Sequence, residues 1–161
     1  FLAVRDGRDN CPRRINYNGY EMNFGTKEVE IVDFVVLAGG RETSHFDSGA
    51  HVEFYVKLHR KRDVPSLHFG FAILTVDGIY VYGTNSVMRP DAFDLTRDGD
   101  VSAVRFATDM AVREGNYFVD LAIFQETPDG THYIHMRRHV VHLSVLPTPR
   151  FDGLVDLLPG R

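Results

Sequence analysis

The feature that most constrains this chain is a two-residue hydrophobic period, repeated in short runs and broken by turn signals at nearly regular spacing. In HVEFYVKL, Val52, Phe54, Val56 and Leu58 alternate with Glu53, Tyr55 and Lys57. Successive side chains of a strand point to opposite faces, so this pattern is that of a half-buried strand. Val29 and Ile31 alternate with Glu28 and Glu30 in the same way. In YFVDLAIF, Tyr117, Val119, Leu121 and Ile123 form one face, and Phe118, Asp120, Ala122 and Phe124 the other. HVVHLSVL sets Val141, Leu143 and Val145 against Val140, His142 and Ser144. Gly39-Gly40, Ser48-Gly49, Asp77-Gly78, Asp98-Gly99, Glu114-Gly115 and Pro128-Asp129-Gly130 separate the runs. Strands at this spacing without long helical patterns predict an all-β, antiparallel sandwich or barrel. The stretch 132–143 has a partly helical spacing, but its Val, Ile and Tyr content favours strand.

Residues 1–22 have the composition of a linker or arm: Arg5, Asp6, Arg8, Asp9, Arg13 and Arg14 are interleaved with Asn, Gly and Pro. The domain proper is expected over 23–158. The chain starts at Phe1 without methionine, as expected of a piece cut from a longer protein. Pro147 and Pro149 break the last long strand and release FDGLVDLL, a tail apolar enough to dock on this molecule or on a partner.

With 161 residues and 43% hydrophobic content, the chain has room for one domain with a sizeable core. A formal charge of −4 gives no basic face for nucleic acid. The single cysteine, Cys11, rules out an internal disulfide and is compatible with a reducing compartment. No apolar run of about 18 residues is present, so no membrane span is expected. Phosphate-binding loops of the G-x-x-x-x-G-K-[ST] and G-x-G-x-x-G types are absent, as is a G-x-S-x-G nucleophile elbow.

The histidines carry the best argument for an enzyme. His132, His135, His139 and His142 are three, four and three residues apart. On a helix His135 and His139 would share a face and could chelate a metal. On a strand they would lie about 13 Å apart, too far for one ion. The strand reading leaves no metal, no cofactor and no catalytic residue.

The second face of the 117–124 strand is more suggestive. If it pairs with the 138–145 strand, Phe118, Asp120, Phe124, Arg138, His142 and Ser144 share one exposed surface. Aromatic rings stack on the CH-rich faces of pyranoses, and sugar hydroxyls need convergent donors and acceptors. Arg137, Arg138 and the nearby histidines further suggest an acidic terminal group on the sugar. Competing readings are a purely structural or dimerising sandwich and a metal-dependent enzyme using the histidines.

FGTKEVEIVDFVV (24–36), LHFGFAILTVDGIYVYGTNS (67–86), the Phe106 strand, REGNYFVDLAIF (113–124), HVVHLSV (139–145) and FDGLVDL (151–157) occur in that order. Together they resemble the C-terminal carbohydrate-binding domain of Wzt-type proteins, the ATPase subunits of ABC transporters that export O-antigen polysaccharide. The resemblance covers about 24–158. It implies an immunoglobulin-like β-sandwich that reads the modified non-reducing end of the glycan without catalysis. It also implies a homodimer with an exchanged terminal strand, an upstream nucleotide-binding domain and a transporter membrane subunit. The implied location is cytoplasmic, at the inner-membrane face. Related domains are also attached to glycan-modifying enzymes. Gly83-Thr84-Asn85-Ser86 matches the family's turn after the Asp-Gly hairpin. There Asn85 either turns the chain or contributes to one rim of the sugar site.

Overall fold

The computed structural model describes Phe1 and residues 7–158. Its strands are β1 (Met22–Phe24), β2 (Val29–Ala38), β3 (Arg41–Glu42), β4 (His45–Asp47), β5 (His51–Arg60) and β6 (Leu67–Thr75). They continue with β7 (Tyr80–Asn85), β8 (Asp94–Asp98), β9 (Val101–Asp109), β10 (Gly115–Thr127) and β11 (Gly130–Leu146). Two sheets face each other. One runs β1-β11-β10-β6-β7, with β4 added in parallel to the far end of β11; the other runs β3-β2-β5-β9-β8. All other strand pairings are antiparallel. The expected all-β, immunoglobulin-like sandwich is what the chain forms. Stretch 132–143 lies within the β11 strand. Among the described residues no helix is long and apolar enough to cross a membrane.

The two-residue period sorts the core as expected. Val52, Phe54, Val56 and Leu58 of β5 and Tyr117, Val119, Leu121 and Ile123 of β10 are all buried. Between them Phe54, Phe71 and Phe106 stack, with ring centroids 4.8 Å apart for Phe54–Phe106 and 4.3 Å for Phe71–Phe106. Offset stacking of this kind adds roughly 0.5–1.5 kcal/mol per pair beyond area burial. Lys57 departs from the pattern. It faces away from the core yet is buried, its ammonium 5.1 Å from the Phe1 ring.

Two glycines are set by geometry. Gly78 turns the β6–β7 hairpin at φ +85°. Gly25 sits at φ +136° against β11, where a Cβ would drive into the Ile134 carbonyl. Only glycine meets both demands there.

Residues 7–21 lie along the sandwich. The Asn10 N–H donates to Val32 O of β2, while Tyr17 bridges Val141 and the Asn18 N–H donates to Val140 O of β11. The arm therefore closes the seam between the two sheets. Residues 2–6 of the expected arm lie outside the described residues. The apolar tail docks on this same molecule. The Arg113 N–H donates to Leu154 O, and the Asp156 N–H to Ala111 O. Leu157 and Leu158 remain exposed.

Candidate functional site: a groove across the six-stranded sheet

Register on the outer face of the six-stranded sheet places residues in rows across the strands. One row is Tyr80–Leu74–Phe118–His142, and another is His68–Phe124–Tyr133. Both are bulky. Between them lie Gly83–Ala72–Asp120 and Asn85–Gly70–Ala122–Met136. Over β6, β7 and β10 these two inner rows hold glycine or alanine at four positions, so the sheet surface there is almost bare backbone. From His68 to Leu74 is six residues, roughly 20 Å of strand. The result is a groove of about 240 Å³ that crosses the strands. Tyr80, Phe124 and Tyr133 supply rings, and Met88 and Met136 supply thioethers. This volume lies just below the range of about 300–1,000 Å³ typical of drug-sized ligand sites.

The polar groups in and beside the groove are mostly committed. Asp120 Oδ1 accepts the His139 N–H at 2.7 Å, and Asp120 Oδ2 lies 4.0 Å from Arg138 Nε. At this point the register slips: a single residue of β10, Asp120, faces residues 138–140 of β11. His139 takes φ +61° in the resulting bulge. A bulge leaves backbone groups unpaired, and the Asp120 carboxylate satisfies one of them.

The hairpin sequel Gly83-Thr84-Asn85-Ser86 has separate local uses. Asn85 Oδ1 accepts the N–H groups of Val87 and Met88, both at 3.0 Å, which turns the chain and holds Met88 beside the groove. Ser86 Oγ accepts the Phe69 N–H at 3.1 Å and lies 3.1 Å from His68 Nδ1, stapling the end of β7 to β6. Gly83 leaves floor space beside Ala72, whose Cβ lies 3.5 Å from where a Gly83 Cβ would be.

Of the residues expected at a sugar site, Asp120, Phe124 and Asn85 line this groove. Asp120 and Phe124 are buried in its floor and wall, not spread on an open surface as the strand pattern suggests. Phe118 and His142 belong to the adjoining bulky row. Phe118 stacks on His139 at 4.9 Å and 15°, and His142 Nε2 lies 2.9 Å from Asn116 Oδ1. Arg138 stands against Asp120 at the groove's margin. Ser144 lies farther along β11 opposite His45, where its N–H donates to Ser44 O. The seven residues thus form a groove part, a flanking ring stack and one outlier. Gly70, Ala72, Gly83, Ala122, Tyr80, Met88, Tyr133 and Met136 were not legible as site residues. The available signal was the interruption of bulky outward positions by Gly and Ala.

The expectation of two arginines beside the groove is corrected. Arg137 points the other way, into the seam between the sheets, and is 1% exposed. Its guanidinium donates to both carboxylate oxygens of Asp9 (2.8 and 3.0 Å) and of Glu21 (2.8 and 2.6 Å), and to Ile31 O at 2.9 Å. Burial works against this charge. The hydrogen bonds it donates to Glu21 and Asp9 more than offset that cost and hold the guanidinium above its ordinary pKa.

The four histidines do not converge. His135 is buried in the same seam, where Nδ1 accepts the Ile31 N–H at 2.9 Å and Nε2–H donates to Asn23 Oδ1 at 2.7 Å. Burial first, and Arg137 second, depress its pKa to about 4. His139 and His142 flank Phe118, and His132 lies 3.5 Å from Thr26 Oγ1. Among the described residues no three His, Cys, Asp or Glu side chains are placed to hold one ion.

A family model described as the Wzt C-terminal domain matches residues 20–157. A solved structure described as the C-terminal domain of wzt superposes with a TM-score of 0.87 at 22% identity, covering 100% of this chain and 98% of that one. A CARDB domain of the PF1109 protein from Pyrococcus furiosus, in complex with di-metal ions, covers 81% of this chain and 99% of its own at 12% identity. Its TM-score of 0.38 is too low to bear on the site. No curated protein matches the chain.

Proposed function

Since the chain belongs to the Wzt C-terminal domain family, we propose that its groove binds the non-reducing terminus of an O-antigen polysaccharide and presents that chain end for export by an ABC transporter. The observation that carries this reading is the pair of Gly/Ala rows framed by rings. A pyranose is a flat ring with apolar faces. It needs a shallow trough, aromatic walls to stack on, and polar groups at the margins. The groove supplies all three.

The binding is non-catalytic in this reading. Asp120, the buried carboxylate of the groove, is held by the His139 N–H, and Glu126 accepts the Thr131 hydroxyl at 2.9 Å. Neither is an unengaged general base. In the full transporter the domain would follow a nucleotide-binding domain, act as a homodimer beside the membrane subunit, and work at the cytoplasmic face of the inner membrane. The exposed Leu157 and Leu158 give the tail an apolar end that a second copy can cover.

The test is binding of the purified chain to the O-polysaccharide of its source strain, with and without the native terminal residue. Binding that requires the terminus supports a chain-end reader. Equal binding to both forms refutes end recognition, and no binding to either leaves a structural or dimerising sandwich.

A further inference from the structure

The charges around the groove carry an inference about which chain end it accepts; it rests on the sugar-binding reading above. Among the described residues, the charged side chains lining the groove are Asp120 and Glu126, and no lysine or arginine lines it. The guanidinium beside it, Arg138, is set against the Asp120 carboxylate at 4.0 Å. Arg137, its neighbour in sequence, is turned into the opposite seam. An anion seated here would face the Glu126 carboxylate with no lining cation to compensate, because Arg138 is already set against Asp120. A buried anion needs a paired charge or convergent donors, and the His139 N–H is already taken by Asp120.

The apolar lining points the same way. Met88 and Met136 bring soft, adaptable thioethers to the groove, and Tyr80, Phe124 and Tyr133 bring rings. Such walls favour methyl and methylene groups over ionised ones. We propose that this chain selects an uncharged terminal sugar bearing an apolar substituent, such as a methyl ether or a deoxy carbon. It discriminates against a terminus carrying phosphate or carboxylate. Glu126 acts here as the repulsive element, the negative half of specificity, while Asp120 keeps Arg138 occupied.

The experiment compares four probes against the purified chain by saturation-transfer NMR and calorimetry at low salt: a methyl hexopyranoside, its O-methylated and 6-deoxy forms, and its 6-phosphate. The O-methylated or 6-deoxy probe is expected to bind at least about tenfold tighter than the phosphate. Glu126 is exposed, and Glu126→Gln removes one repelling charge without touching the floor. It is expected to raise affinity for the phosphate about three- to fivefold relative to the neutral probes, read as the ratio of the two affinities in each protein. Equal or tighter binding of the phosphate overturns the inference while leaving sugar binding intact. Indifference of the phosphate to Glu126→Gln overturns the role given to that charge. If no probe binds, the inference falls, and the polysaccharide experiment decides separately whether the proposed function falls with it.

Discussion

Two polar regions flank β11, one on each side of it, and they are built on opposite plans. In the seam, Arg137 is enclosed and its donors have partners on Asp9, Glu21 and Ile31, while His135 joins β2 to β1. On the outer face, the groove keeps open space over Gly70, Ala72, Gly83 and Ala122. The seam spends its polar groups on holding the arm to the sandwich. The groove keeps its polar groups few and its surface bare. Neighbouring residues, Arg137 and Arg138, belong to different plans because alternation sends them to different faces. Chemical type alone does not mark a binding residue; what matters is whether the surrounding atoms leave room for something else.

That contrast can be broken or sharpened. The largest effect is expected in the seam. Arg137→Ala strands two carboxylates, one of them buried, and should cost about 3–5 kcal/mol in urea unfolding. A loss below about 1 kcal/mol would show that Arg137 does not hold the seam together.

The next effect is a pH dependence. The unfolded chain protonates His135 near the ordinary value of 6.5, while the folded chain resists protonation until about pH 4. Protonation between these values favours the unfolded state. The stability supplied by neutral His135 is therefore complete above about pH 6.5 and is lost as pH falls toward 4. Unfolding at pH 7.5 and pH 5.0 should differ by up to about 2 kcal/mol more in the parent chain than in His135→Gln. Identical pH slopes in the two proteins would remove His135 as the cause.

In the groove the prediction reverses: binding should change and stability should not. Gly83→Val raises a side chain from the floor at an ordinary strand position and suits strand propensity. Polysaccharide binding should drop at least about tenfold, with unfolding free energy within about 0.5 kcal/mol of the parent. Unchanged binding would move the ligand elsewhere on the face. The smallest effect is expected for Phe118→Ala, in the bounding row but outside the lining, with binding weakened about two- to threefold.

The fold was legible because its signals are local. Asp77-Gly78 announces its hairpin, and Tyr117, Val119, Leu121 and Ile123 announce their own inward face. The site was legible only in part because rows are not local. Ala72 lies beside Gly83 and Asp120 only once three strands have found their register, and no single run of residues contains that information. Arg137 was harder still. Its place in the alternation matches inward Val141, but its charge argues for solvent, and the partners that reverse the argument, Asp9 and Glu21, lie 128 and 116 residues away in the chain.

The row geometry has a consequence for how such a surface changes over time. Each row takes one residue from each neighbouring strand, and none of them faces the core. A groove of this kind can be recut by three or four substitutions spread along the gene, each altering width, depth or charge at one point. The stacked phenylalanines beneath need not move. Selection can therefore retune what the surface accepts while the scaffold stays fixed, one crosswise row at a time.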